Sequence, residues 1–279
     1  MTKRKSIVVV GSVNLDIVVT VDRLPVAGET VSGGDLNHFP GGKGANQALA
    51  AKRLGADVAL VACVGDDANA DKALALLIEG GVDLSHCERT SNAATGVALI
   101  AVSAEGENQI IVVPGANRMM NPQSLSLPQA DALICQLEVP VPVLQQASAT
   151  FEGFVSINLA PAMDVPSDII ARADLIVVNE TEAAFYGAAL SKISGLLAIT
   201  YGAKGAVLHM GEKELARAEP PRVKVVDTTG AGDTFTAALT LALVEGQEPQ
   251  AALDFACAAG AAATTNAGAQ PSLPFRNQL

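Results

Sequence analysis

Short apolar runs alternate with helix-like stretches along most of the chain, and this alternation predicts the fold class. Almost wholly apolar runs occupy 6–10, 58–64, 132–137, 155–159, 175–178, 196–200 and 206–210. Such runs are typical of strands that are covered on both faces of a sheet. Apolar residues at helical spacing follow at 48–54, 68–79, 141–149 and 251–264. The pattern predicts an α/β fold with a mostly parallel central sheet.

Two β-rich parts of the chain interrupt this alternation. The stretch 30–39 is polar and partly extended, and the arms 95–102 and 109–113 flank a predicted hairpin turn at 103–108. We expect these segments to form a small, separate sheet. A chain of 279 residues has room for one large α/β domain with such an appendage.

A glycine-rich turn at 227–233 joins a predicted strand at 223–226 to a predicted helix that starts at Ala231. The first amides of a helix lack internal partners, and the helix dipole places partial positive charge there, so this turn is a candidate anion site. A carboxylate in the first turn, Asp233, can accept a hydroxyl proton while the amides hold charge on a phosphoryl group. The alternative is that Asp233 only stabilises the helix dipole.

A second glycine-rich stretch, Gly41-Gly42-Lys43-Gly44-Ala45-Asn46, also leads into a predicted helix. It is not a Walker loop, because no Ser or Thr follows the lysine, and it is not a dinucleotide fingerprint. A plain flexible turn is the alternative, although such a turn needs neither Lys43 nor Asn46. Upstream, Asn14 and Asp16 lie two apart and therefore point to one side of an extended chain. They can bind adjacent sugar hydroxyls or can simply form a turn.

Several predicted strands end in polar residues, namely Glu138, Asn158 and Asn179. Ligands of open parallel sheets lie at those carboxyl ends. Asn179 opens a predicted helix for which Thr181 is a possible cap, and the strand 196–200 leads into a tight turn at 201–205.

Composition and charge exclude several classes of function. The net charge of −11 argues against nucleic acid and anionic membranes as main partners. The four cysteines are far apart, which disfavours thiolate metal sites and a disulfide framework. We find no signal peptide and no apolar run of membrane-spanning length, and we expect a soluble, cytoplasmic protein.

The two glycine-rich stretches, with their spacing, resemble the signatures of the ribokinase-like (PfkB) carbohydrate kinase family. The first signature runs from Gly41 through Asn46 to Gly55 and Gly65, and the second spans 227–240. The likeness covers nearly the whole chain. It implies a single α/β kinase domain over 1–279: a three-layer sandwich with a small β-sheet lid formed by about 14–40 and 95–113.

The resemblance also implies roles for individual residues. Asp233 would be the general base, and the anion hole would comprise Gly230, Ala231 and Gly232. The sugar would be held by Asn14, Asp16, Gly42, Lys43, Gly44, Ala45, Asn46, Glu138 and Asp233. ATP would contact Asn179, Thr200, Tyr201, Gly202, Ala203, Lys204, Gly205, Gly232 and Cys257. Glu182 would act on Mg²⁺ through water. A monovalent cation, K⁺, would be surrounded by Asp227, Thr229, Ala263, Asn266, Gly268 and Ser272.

The leading functional hypothesis is ATP-dependent phosphorylation of D-ribose at its 5-hydroxyl by a homodimer joined through the lid. Another sugar or nucleoside kinase of the same fold is the first alternative, although Phe39 is the only aromatic residue near the predicted sugar loops. A sugar-binding sensor without catalytic activity is the second.

The chain departs from the family in its short segment between Glu182 and Leu196, where one helix over 181–191 is expected to lead directly to the next strand. It also has Cys257 where relatives usually carry Asn or His.

Overall fold

Strands and helices alternate along the computed structural model, which describes residues 4–279. The strands are β1 Ser6–Val10, β2 Asn14–Val21, β3 Leu36–Gly41, β4 Asp57–Gly65, β5 Cys87–Thr90, β6 Gly96–Ser103, β7 Asn108–Val113, β8 Ala132–Gln136, β9 Phe154–Asn158, β10 Leu175–Asn179, β11 Leu196–Thr200, β12 Ala206–Met210 and β13 Lys213–Ala218. The helices are α1 Lys43–Arg53, α2 Ala68–Glu79, α3 Val141–Thr150, α4 Ser167–Arg172, α5 Glu180–Tyr186, α6 Ala231–Val244, α7 Pro249–Ala262 and α8 Ala269–Ser272.

The central sheet has nine strands in the order β13-β12-β11-β10-β9-β8-β1-β4-β5. Its pairs are parallel except those of β11 with β12 and of β12 with β13. The apolar side chains of β1 are buried on both faces because helices cover both. One core cluster packs α1, α2, α6 and α7 on the sheet, and a second packs α3, α4 and α5 on the opposite face. The predicted three-layer α/β fold is confirmed.

A separate sheet of four strands has the order β3-β2-β6-β7. β2 pairs in parallel with β6 and antiparallel with β3, so the polar stretch before Gly41 and the predicted hairpin share one sheet. We call it the small sheet. Its edge strand β7 exposes apolar side chains on both faces, among them Ile110 at 53% and Ile111 at 64% exposure.

The predicted strand at 223–226 is wrong. Val225 and Val226 are each 56% exposed, and the segment lies outside both sheets. The amides of Val226 and Asp227 donate to Thr264 O, at 2.8 and 3.2 Å, after the end of α7. Because these two amides pair with a carbonyl oxygen just after a helix, they are not available to pair with a neighbouring strand.

The helix after β10 also differs in detail from the prediction. Its N-cap is Asn179 rather than Thr181: the Asn179 side chain accepts from the Glu182 amide, and the Glu182 carboxylate accepts from the Asn179 amide, both at 2.8 Å. α5 ends at Tyr186, and a 3₁₀ segment, Gly187–Lys192, continues towards β11. Gly187 has φ of 46°, which stops a regular helix.

The four cysteines are free thiols, and Cys63, Cys135 and Cys257 are buried. Burial raises the pKa of Cys135 to about 12 and that of Cys257 to about 11, so both remain protonated at neutral pH. Among the described helices, none combines the length and the apolar character that crossing a bilayer requires.

Candidate active site

Asp233 lies at the start of α6, where the chain enters the helix through a left-handed glycine. Gly230 is the N-cap with φ of 82°, and Asp233 is the third helical residue. The carboxylate is only 6% exposed. It accepts one amide donor on each oxygen, from Asn46 Nδ2 at 2.9 Å and from Gln47 Nε2 at 3.0 Å. The two glycine-rich stretches, distant in sequence, therefore meet at this carboxylate.

The start of α1 is pressed against the loop after β1. Gly42 has φ of 89°, and a Cβ atom on Gly44 would lie 2.5 Å from the backbone of Gly11. The Ala45 amide donates to Ser12 O at 2.9 Å. This close approach explains the glycine density, because a side chain here would push the helix away from the loop.

Glu138, just beyond β8, joins the same two elements. Its Oε2 accepts from Ser12 Oγ at 2.5 Å and from the Lys43 amide at 3.1 Å. The predicted polar strand end and the lysine of the glycine-rich stretch are thus adjacent.

Asn14 and Asp16 lie at the start of β2, and both are buried, at 4% and 8% exposure. Asn14 Oδ1 accepts from Asn117 Nδ2 at 2.8 Å, which orients its amide. Burial, together with the negative charges of Glu138, Asp233 and Asp227, raises the pKa of Asp16 to about 7. Asp16 therefore lies close enough to these three carboxylates for their charges to act on it.

Lys43 and Glu182 complete the charged lining. Burial opposes the charged form of Lys43, but Asp233, Glu138 and Glu182 outweigh it, so the pKa of Lys43 is raised. Burial raises the pKa of Glu182, opposed by the bond from the Asn179 amide and by Lys43. The charged form of Lys43 is therefore favoured by three nearby carboxylates.

The amides at the start of α6 differ in their availability. The Ala231 amide donates to Thr228 O at 3.2 Å, whereas within residues 4–279 the amides of Gly230 and Gly232 have no protein acceptor. A Cβ atom on Gly232 would meet nothing within 4 Å, so the backbone there borders open space. Free amides beside open space are what an incoming anion requires.

A cleft of about 520 Å³ opens at the same helix start. Of the residues that we predicted to meet ATP, six line it: Thr200, Gly202, Ala203, Gly205, Gly232 and Cys257. Three others are placed elsewhere. The Tyr201 amide closes the turn on Gly205 O at 2.7 Å, Lys204 is exposed, and Asn179 caps α5. Pro220 and Arg222 also line the cleft, as do Val223 and Val225 from the segment wrongly predicted as a strand.

The residues predicted for a monovalent cation lie along two loops that bond to each other. Asp227 Oδ1 accepts from the Thr229 amide and hydroxyl, and Asp227 Oδ2 accepts from the Gly268 amide at 2.8 Å. Ser272 Oγ donates to Asn266 O at 2.9 Å, and Ala263 is the C-cap of α7. Carbonyl oxygens with one carboxylate suit an alkali cation. Within the described part of the chain, no group of three or more His, Cys, Asp or Glu side chains is placed to hold a metal ion.

Four buried polar residues of the site were not singled out from the sequence: Ser12, Gln47, Asn117 and Gln136. Gln47 carried a usable signal, since it is a polar residue within the apolar run of a helix that packs on the sheet. Asn117 carried none, because it lies on a 3₁₀ turn, Gly115–Met119, about 100 residues from its partner Asn14.

The fold and this site together define a kinase of small molecules. A buried carboxylate faces polar groups suited to an alcohol on one side, and free amides border an open cleft on the other.

Comparison with known proteins identifies the family. The pfkB family carbohydrate kinase pattern matches residues 4–276. A ribokinase of Bacillus subtilis (strain 168) is 38% identical over 289 residues, which cover 99% of this chain and 98% of the relative. Among solved structures, ribokinase from Thermotoga maritima has a TM-score of 0.89 at 33% identity, covering 98% of this chain and 97% of that one. Arabidopsis thaliana ribokinase, solved with ribose and ATP, has a TM-score of 0.87 at 32% identity, covering 99% and 97%. The chain belongs to the pfkB family of carbohydrate kinases.

Proposed function

We propose that this protein transfers the γ-phosphoryl group of ATP to the 5-hydroxyl of D-ribose. The observation that carries the proposal is the position of Asp233, which lies buried in the first turn of α6 and accepts hydrogen bonds from Asn46 and Gln47 of the other glycine-rich stretch. Relatives that match over nearly the full chain are ribokinases, and one was solved with ribose and ATP.

Asp233 acts as the general base. It accepts the proton of the 5-hydroxyl as that oxygen forms its bond to the γ-phosphorus and the bond from the γ-phosphorus to the bridging oxygen breaks. ADP leaves with the electron pair of the broken bond. Asn14 and Asp16 bind ring hydroxyls, and Lys43, Asn46 and Glu138 line the same pocket. Gly42, Gly44 and Ala45 let the chain pack closely around the sugar.

The anion hole comprises Gly230, Ala231 and Gly232. The amides of Gly230 and Gly232 can take up phosphoryl charge as they stand, whereas the Ala231 amide must first leave Thr228 O. These amides stabilise charge that develops during transfer, and they act beside a buried base where water is scarce.

The cleft of about 520 Å³ holds ATP. Its lining from the turn after β11, from α6 and from Cys257 on α7 contacts the nucleotide. Asn179, Tyr201 and Lys204 do not line this cleft, and in our proposal they would contact the phosphates or ribose once ATP is bound. The cleft opens at Gly232, so the triphosphate can reach Asp233 from the side opposite the sugar.

Two cations assist the reaction. Glu182 is buried and has one carboxylate oxygen beyond its capping bond, so it suits Mg²⁺ held through water, and bound Mg²⁺ neutralises triphosphate charge. K⁺ would be held by the loops of Asp227 and Gly268, with oxygens from Thr229, Ala263, Asn266 and Ser272. Because these loops adjoin the start of α6, a cation there would stabilise the anion hole.

The small sheet acts as a lid, formed by about 14–40 and 95–113 of a single kinase domain spanning 1–279. It excludes water, so the sugar outcompetes hydrolysis of ATP. The apolar edge strand β7 joins two copies in a homodimer, since Ile110, Ile111, Val112 and Val113 are exposed on it. We also propose that the protein works in the cytoplasm, where ATP is supplied.

An ADP-release assay over pentoses, hexoses and nucleosides tests the proposal, with Asp233→Asn as the matched variant. We expect turnover with D-ribose and a fall in kcat of about 10²–10⁴-fold in Asp233→Asn, with sugar binding largely retained. Turnover of a nucleoside in preference to every sugar would favour the nucleoside kinase alternative. Binding of ribose without turnover, in the presence of ATP and Mg²⁺, would favour a sugar sensor.

A further inference from the structure

A chain of buried amides leads from the base carboxylate into the protein interior. Gln47 Nε2 donates to Asp233 Oδ1 at 3.0 Å, and Gln136 Nε2 donates to Gln47 Oε1 at 2.6 Å. Asn158 Oδ1 accepts from Gln47 Nε2 at 3.4 Å. Gln47 and Gln136 are completely buried. Every polar atom of the Gln47 amide is therefore used, and water does not compete for it.

The direction of these hydrogen bonds follows from the Asp233 carboxylate. An ionised carboxylate only accepts hydrogen bonds, so Gln47 must present its NH₂ group to Asp233 and its carbonyl oxygen to Gln136. Gln136 must then present its own NH₂ group to Gln47. Among residues 4–279, Gln136 Oε1 has no hydrogen-bond partner; it lies buried next to Gly11, where a Cβ atom would overlap it. An unpaired buried carbonyl is costly, and it marks an arrangement held for a purpose other than stability.

We infer that Gln47, oriented by Gln136, is the positioning residue that aligns the Asp233 carboxylate for proton removal from the sugar. The inference rests on the proposed function. Asn46 and Gln47 are consecutive on α1 and bond to different oxygens of one carboxylate, so together they fix its plane. Asn46 is 4% exposed, whereas Gln47 is completely buried and is therefore out of reach of a bound sugar. Gln47 therefore acts through Asp233.

Gln47→Met, which keeps the length and removes the donor, tests this role. We expect kcat to fall about 10–100-fold while the KM for ribose changes less than about threefold, because alignment rather than binding is lost. An amide donor favours the ionised carboxylate, so its loss should move the acidic limb of the kcat profile to higher pH. The charged groups that face Asp233 are Asp16 on β2, Lys43 on α1, Glu182 on α5 and Glu138 beyond β8. Measuring kcat at saturating ribose and MgATP keeps their ligand contacts constant.

Gln136→Met provides a second, independent test. Gln136 is linked to Asp233 only through Gln47, so we expect its substitution to lower kcat about three- to tenfold in the parent enzyme and not at all in the Gln47→Met background. A loss of kcat in Gln136→Met that simply adds to the loss in Gln47→Met would overturn the inferred role of Gln136. Gln47→Met can be compared only if it folds, as judged by circular dichroism; otherwise Gln136→Met decides. A shift of its acidic limb to higher pH supports the inference, and an unchanged limb overturns it.

Thr240→Val is the matched control. Thr240 lies on α6, as Asp233 does, but does not contact it. The substitution removes a buried hydrogen bond from Thr240 Oγ1 to Ser156 Oγ at 2.9 Å. We expect its pH limb to be unchanged. A Gln47→Met enzyme that matches Thr240→Val in kcat and in pH limb would refute the inference alone, provided that Asp233→Asn is inactive. An active Asp233→Asn enzyme would instead refute the proposed base.

Discussion

Sugar binding should depend on pH through Asp16, the buried carboxylate at the start of the small sheet. Its pKa is raised from an ordinary 3.8 to about 7 by burial and by the negative charges of Glu138, Asp233 and Asp227. Sugar hydroxyls donate to the ionised carboxylate, so ribose binds the charged form and must displace a proton where Asp16 is neutral. Affinity should therefore rise as pH increases towards and through 7.

The size of the effect follows from the ionised fraction. With a pKa of about 7, roughly one tenth of Asp16 is charged at pH 6 and nearly all at pH 8, so the Kd for ribose should fall about tenfold across that interval. Isothermal titration calorimetry without ATP measures binding apart from catalysis. Asp16→Asn should bind ribose more weakly and with little pH dependence.

The same shift predicts a stability effect in the absence of sugar. Because the folded state favours neutral Asp16, its stabilising contribution is complete below pH 3.8 and is lost as pH rises to about 7. Moving a carboxyl pKa this far corresponds to about 4 kcal/mol, so Asp16→Asn should unfold in urea at higher concentration than the parent at pH 8 and at a similar one near pH 4. A parental Kd that is equal at pH 6 and pH 8, or an Asp16→Asn variant with the parental slope, would refute the reasoning.

Three further predictions concern the cleft, the cation loops and the edge strand. Gly232→Val should fold normally, since a side chain there meets open space, yet kcat/KM for ATP should fall about tenfold or more with the ribose KM unchanged; normal ATP kinetics would place the triphosphate elsewhere. Replacing K⁺ by a large organic cation should lower kcat severalfold, and Asp227→Asn should reduce that difference; indifference of the parent to K⁺ would discard the cation site. Ile111→Lys should convert a dimer to a monomer in sedimentation velocity, because it buries a charge in the proposed contact, and an unchanged sedimentation coefficient would exclude β7 as the interface.

The central sheet was predictable because its strands are buried on both faces and therefore read as continuous apolar runs. β5 and β13 were missed for the converse reason: both are edge strands, and Cys87–Thr90 and Lys213–Ala218 are mostly polar and exposed. The three valines at 223–226 mimic a strand, but Val223 and Val225 line a cleft instead, and local composition does not distinguish the two.

At the site, residues with local signatures were found and residues with only long-range partners were not. Glycines, Asp233 and Asn14 stand in recognisable turns or spacings. Gln136 looks like a strand residue until the fold brings it to Gln47, 89 positions away. The capping of α5 was assigned to Thr181 because its side chain can cap, whereas the strand end places Asn179 where the helix begins.

Because Asp233 lies on a largely buried helix, the base and the residues proposed to bind the sugar differ in how freely their surroundings can change in evolution. Residues 234–242 of α6 are all buried, so almost any exchange on that helix disturbs the interior. Asn14 and Asp16 belong instead to a peripheral sheet whose edge can vary without loosening the core. New acceptor preferences can arise there while the chemistry of phosphate transfer is inherited unaltered.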